Sequence, residues 1–200
     1  QISRKGLGYA RAAIGETKEE KFNEYSNKLV KYEEISDRIE YEIATFLNGV
    51  SAGDISEDSS RQIKAMYKII KELESLGDSG EVISRILSRR NVHNKTFDED
   101  TVKKLQSMVD AVDNAYDAMI ENLLEAHKGT LVEVSNAYNA EDRINNLRND
   151  LRDAEIDDIE NNTKNYQTSV YYIDILNCLE RMGDFIINIS QDLEKTFVRR

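Results

Sequence analysis

No proline and no tryptophan occur in this chain of 200 residues, and it has only one cysteine, two histidines and nine glycines. Each scarcity excludes something. Without proline and with few glycines, long helices meet few breakers, so an all-α fold is expected. A single thiol, Cys178, excludes an internal disulfide framework; placed beside Leu179 in an apolar helical stretch, it reads as a small buried hydrophobe rather than a nucleophile. Neither His93 nor His127 has a Glu three residues earlier, so the Glu-x-x-His pattern of ferritin-like di-iron bundles is missing. No glycine-rich phosphate loop, G-x-S-x-G element or Cys and His arrangement is present, and an enzyme is not expected. The longest apolar run, Val170 to Ile173, is far below the roughly 20 residues of a membrane span. A formal net charge of -11 repels phosphate backbones and argues against nucleic acid as a partner.

What the chain does have is aliphatic periodicity. Apolar spacing of three and four residues predicts six helices. A short one covers Ile2 to Glu16, and a long one covers Lys18 to Leu47. The second ends in "NGVSAGD", with Gly49 and Gly53 as stop signals and Asp54 as the next cap. A third helix carries Ile63, Met66, Ile70 and Leu73 and yields to a loop at "SRRNVHNKT". The fourth runs from Asp98 to a stop at Gly129, the fifth from about Leu131 to about Glu160, and the sixth from about Tyr166 to the end.

An internal repeat lies beneath this pattern. Sliding the chain by 106 residues superposes Ile69–Leu87 on Ile175–Leu193 with eight of 19 positions identical, including Glu74, Gly77 and Asp78 on Glu180, Gly183 and Asp184. A slide of 105 brings the "DRI" of Asp37–Ile39 onto that of Asp142–Ile144. Two units of three helices are expected, residues 1–96 and 97–200, as tandem antiparallel three-helix bundles. The first helix of the first unit is shorter than its counterpart, as if truncated.

Carboxylates four apart on a helix share a face, so Glu74 with Asp78, and Glu180 with Asp184, each offer one cation two oxygen donors. Their mutual repulsion calls for solvent, basic side chains or a metal. Hard oxygen donors select Mg, Ca, Mn or Fe. The glycine inside each pair weakens its helix by about 1 kcal/mol relative to alanine, which points to close approach by another helix or a bound group. The plain alternative is a helical scaffold whose acidic pairs bind nothing.

With its Leu-Glu-x-x-Gly-Asp-x-x-x-x-Ile third helices ("LERMGDFIINI", and "LESLGDSGEVI" with Ser75 where Arg is usual) and its Asp-x-Ile second helices, the chain resembles the PhoU domain, a duplicated helical bundle associated with bacterial phosphate uptake. The resemblance implies surface metal sites holding divalent or trivalent ions such as Fe, Mn, Mg, Ca or Zn. One would use Glu74, Asp78 and Asp37, joined by Glu34; the other Glu180, Asp184 and Asp142, joined by Glu141. Asn139 stands where the first copy has Glu34, which would weaken the second site. The family includes stand-alone regulators of the phosphate ABC transporter and cytoplasmic C-terminal domains of sodium/phosphate cotransporters. The missing Met, the short first helix and a start bearing Arg4, Lys5 and Arg11 with no acid before Glu16 favour the second kind. The implied partners are a membrane transporter core and a signalling protein, with oligomerisation, at the cytoplasmic face of the inner membrane.

Overall fold

The computed structural model describes residues 1–130 and 132–197. Six helices carry the fold, and there is no strand among the described residues: α1 (Ile2–Ile14), α2 (Glu19–Ser51), α3 (Glu57–Val92), α4 (Glu99–Lys128), α5 (Ser135–Glu160) and α6 (Tyr166–Phe197). No helix is long and apolar enough to cross a membrane among the described residues.

Local chemistry sets several ends. Ser56 begins α3 by accepting the Ser59 amide at 3.1 Å, and Asp98 begins α4 by accepting the Thr101 amide at 2.7 Å. Gly129 closes α4 at φ 72, a left-handed geometry that suits glycine. Other boundaries depart from the expected ones. The glycine Gly49 does not stop α2, which runs on to Ser51, and Ser56 rather than Asp54 is the cap that follows. The expected loop from Ser88 is mostly helix: α3 continues through Val92, because Arg89 and Arg90 suit the negative end of the helix dipole and Arg90 is buried. The fifth helix begins at Ser135; its expected start, Leu131, lies outside the described residues, as do residues 198–200 of the sixth.

Helices α1, α2 and α3 pack on one another, as do α4, α5 and α6; α3 packs against α6 and α1 against α4. The two halves share one apolar core, in which Leu7, Ile83 and Leu87 join Leu105, Tyr116, Ile175 and Leu179. A smaller cluster, Leu47, Ile63 and Ile70, seals the far end of the α2–α3 pair. Cys178 is buried as expected, its thiol facing the Ser79 carbonyl at 3.5 Å. The basic opening of the chain is used within the fold: Arg4 bridges Asp113 at 2.7 Å and Asp117 at 2.5 Å, and Arg11 pairs with Asp110, tying α1 to the acidic face of α4.

Candidate metal centre

Close packing at two glycines places the acidic residues. A Cβ added at Gly77 would lie 2.7 Å from both Cβ and Oγ of Ser36, so α2 crosses α3 almost in backbone contact. At Gly183 the facing residue is Ile144, whose Cδ1 would lie 3.0 Å away. Ser36 and Ile144 therefore occupy equivalent places, 108 residues apart (144 minus 36). The inward residues Leu29 and Leu47 of α2 obey the same offset with Ala137 and Glu155 of α5 (137 minus 29, 155 minus 47). Hence the second helices match at 108, not at the 105 given by the two "DRI" elements. Ile39 is exposed whereas Ile144 is fully buried, which no equivalence of the two would allow.

This register changes the ligand sets. Glu33, Asp37 and Asp78 bring carboxylate oxygens within 4.8 Å of one another. Glu33 takes the place expected of Glu34, which points into solvent one residue further round the helix. Glu74 adjoins Asp78 four residues away, and its carboxyl is pushed up to about 7, first by burial, then by the hydrogen bond and charge of Asp78 and the charge of Glu40. Burial is also the main cause raising Asp78, with Asp37 adding to it and Arg85 opposing. Glu33 is raised by burial and by Asp37, Asp78 and Glu81. Oδ1 of Asp78 is buried without a hydrogen-bond partner. This set fits a hard cation, because it offers several oxygen donors, an orphaned acceptor and carboxyls whose ionisation is held back by crowding.

The second set is built differently. At the offset of 108, Glu141 matches Glu33, while Asn145 stands for Asp37 and Arg148 for Glu40. Arg148 donates to Glu180 at 2.7 Å, and Asn145 donates to Glu141 at 2.5 Å. Asp184 lies beside them, its carboxyl raised by burial and then by Glu180 and Glu141. Asp142 is exposed and lines a groove between α4 and α5 with Asn139 and Asp110, so it faces away from Glu180 and Asp184. The structure thus brings together Glu141, Glu180 and Asp184 of the expected second set and leaves Asp142 out. Glu33, Glu40, Asn145 and Arg148 were missed from sequence. One signal was there to find: Glu33-x-x-x-Asp37 repeats the spacing of Glu74-x-x-x-Asp78, and Glu141-x-x-x-Asn145 echoes it.

The PhoU domain family model matches residues 105–193, a span that contains most of α6 and its glycine-centred acidic pair. The solved structures extend the likeness to the whole fold. PhoU from Pseudomonas aeruginosa is similar at 15% identity with a TM-score of 0.72, over 96% of this chain and 88% of that one. The phosphate transport system regulatory protein PhoU from Streptococcus pneumoniae is similar at 16% identity with a TM-score of 0.74, over 96% and 86%. No curated protein sequence matches the chain. The family match covers the half with Arg148; the more acidic set lies in α2 and α3, where the likeness is one of PhoU fold.

Proposed function

We propose that the chain is a PhoU-type regulatory module of phosphate transport whose first acidic set, Glu33, Asp37, Glu74 and Asp78, binds a divalent or trivalent metal ion. The observation that carries the metal reading is the convergence of three carboxylates within 4.8 Å, one of which, Asp78, has a buried oxygen with no hydrogen-bond partner. The phosphate reading is supported by the match of residues 105–193 to the PhoU domain model and by the fold shared with a phosphate transport system regulatory protein. Its role is to dock rather than to catalyse. The repeats, residues 1–96 and 97–200, would present a surface to a transporter core or signalling partner, with bound metal biasing the geometry of α2 against α3.

Within this reading we favour the cytoplasmic regulatory domain of a sodium-dependent phosphate cotransporter, and a stand-alone regulator uses the same module. Immunoblots of membrane and soluble fractions of source cells separate them. A membrane band well above 23.0 kDa supports the cotransporter, and a soluble band near 23.0 kDa supports the free regulator. The regulatory claim itself is tested by phosphate uptake in cells carrying Asp37→Asn with Asp78→Asn. An altered response of uptake to external phosphate is expected, and an unaltered one contradicts the proposal.

A further inference from the structure

We propose that Arg148 occupies the second acidic set in place of a metal ion, so that this chain holds metal in its first three helices alone. The inference rests on the metal reading of the first set and concerns where the two copies part. Three acidic positions are kept between them, Glu33 and Glu141, Glu74 and Glu180, Asp78 and Asp184. Two have changed: Asp37 to Asn145, and Glu40 to Arg148. With all groups ionised, the first set together with the neighbouring Glu40 carries five carboxylates and a formal charge of -5. The second carries three carboxylates and one guanidinium, a formal charge of -2.

The geometry shows what this exchange does. Arg148 and Glu180 are both mostly withdrawn from water, with side chains 19% and 18% exposed, and their contact is 2.7 Å. A guanidinium stays charged at any ordinary pH and cannot step aside by losing a proton. Asn145 turns its amide N–H toward Glu141, so a second carboxylate of the set is already engaged. A cation entering here would have to displace Arg148 from Glu180, take Glu141 from Asn145 and then sit beside an unpaired, half-buried positive charge. The first set has no such occupant: the cation acting on Asp78 is Arg85, which is 65% exposed and pairs with Glu81. Helix α5 is therefore fastened to α6 without metal, and α2 is fastened to α3 with it. Metal acts on one half of the pseudo-repeat.

The test is Mn²⁺ binding by equilibrium dialysis of the full chain and three variants, each checked for helical content. Glu141→Gln with Asp184→Asn should leave bound Mn²⁺ at the wild-type level, and Glu33→Gln with Asp78→Asn should abolish it. Arg148→Glu with Asn145→Asp rebuilds the first-set pattern in the second and should roughly double bound Mn²⁺. Loss of Mn²⁺ from Glu141→Gln with Asp184→Asn overturns the inference. No Mn²⁺ in the wild type refutes the metal reading of the first set instead, and the lock is then judged by Arg148→Met. That variant should lower the melting temperature equally in EDTA and in Mn²⁺; an unchanged melting temperature, or a drop only in Mn²⁺, overturns the role given to Arg148.

Discussion

Replacing Gly77 by alanine should destabilise the protein and loosen its acidic cluster. The added Cβ would lie 2.7 Å from Cβ and Oγ of Ser36, against an optimum of about 3.5–4.0 Å between carbon atoms. Ser36 cannot swing its own Cβ away, so the α2 backbone must retreat. Overpacking of this kind costs about 1–3 kcal/mol, and alanine returns about 1 kcal/mol of helix propensity. The net is a loss of about 1 kcal/mol, or roughly 2–4 °C in melting temperature for a chain of this size. A second substitution sharpens the test. Ser36→Gly removes both opposing atoms, so Gly77→Ala made on that background should stabilise by about 1 kcal/mol through propensity alone. The effect changes sign between the two backgrounds, and thermal unfolding followed by circular dichroism reads it. Gly183→Ala is the control: it meets a methyl of Ile144 at 3.0 Å, which a side-chain rotation can relieve, and its cost should be smaller. Because Asp37 follows Ser36 and Asp78 follows Gly77, the retreat of α2 should also weaken Mn²⁺ binding. Equal effects of Gly77→Ala with and without Ser36→Gly would refute this account of the helix crossing.

Three further outcomes are expected. The Glu74 carboxyl sits at about 7 in the folded chain, above its unfolded value, so its favourable contribution is complete below about 4.5 and lost as pH rises through 7. Metal-free protein should accordingly melt at lower temperature at pH 7.5 than at pH 5, with Glu33, Glu72, Asp78 and Asp184 shifted in the same direction. Glu74→Gln should flatten that slope; a slope unchanged in the variant would rule out Glu74 as its source. Asp98→Ala removes the α4 cap and the partner of Lys164, and should cost about 1–2 kcal/mol in denaturant unfolding, where no loss would count against the cap. Burial pushes the Cys178 thiol up to about 12, so the folded protein should resist iodoacetamide at pH 8 and react only on unfolding.

Much of this was legible in the sequence, and the parts that were not share a cause. The third helices, α3 and α6, bury one face almost continuously, and their repeat at 106 was plain because Gly77 and Gly183, Ile83 and Ile189, Leu87 and Leu193 all answer to the core. The second helices bury little: Phe22, Leu29 and Leu47 in α2, and Ala137, Ile144 and Glu155 in α5. So few inward residues leave the register of the pair to be set by whatever letters agree, and the chance agreement of two "DRI" elements moved it by three residues. That slip brought in Glu34 and Asp142, which the structure turns away from the acidic pairs, and hid Glu33, Asn145 and Arg148. The role of Arg148 is legible only once the register is known, since nothing in the letters shows that it faces Glu180. The basic residues of α1 also have a use that the sequence does not display. The fold gives Arg4 and Arg11 to acids of α4 about a hundred positions along the chain, a pairing that no local pattern announces.

The central claim is that the first acidic set, and not merely an acidic surface, takes a metal ion. Anomalous scattering tests it most directly: crystals of metal-free protein soaked in Mn²⁺, with data collected near the manganese edge. The account predicts an anomalous peak bounded by Glu33, Asp37 and Asp78, with none between Glu180 and Asp184. An empty first set, or a peak at the set that holds Arg148, would contradict it.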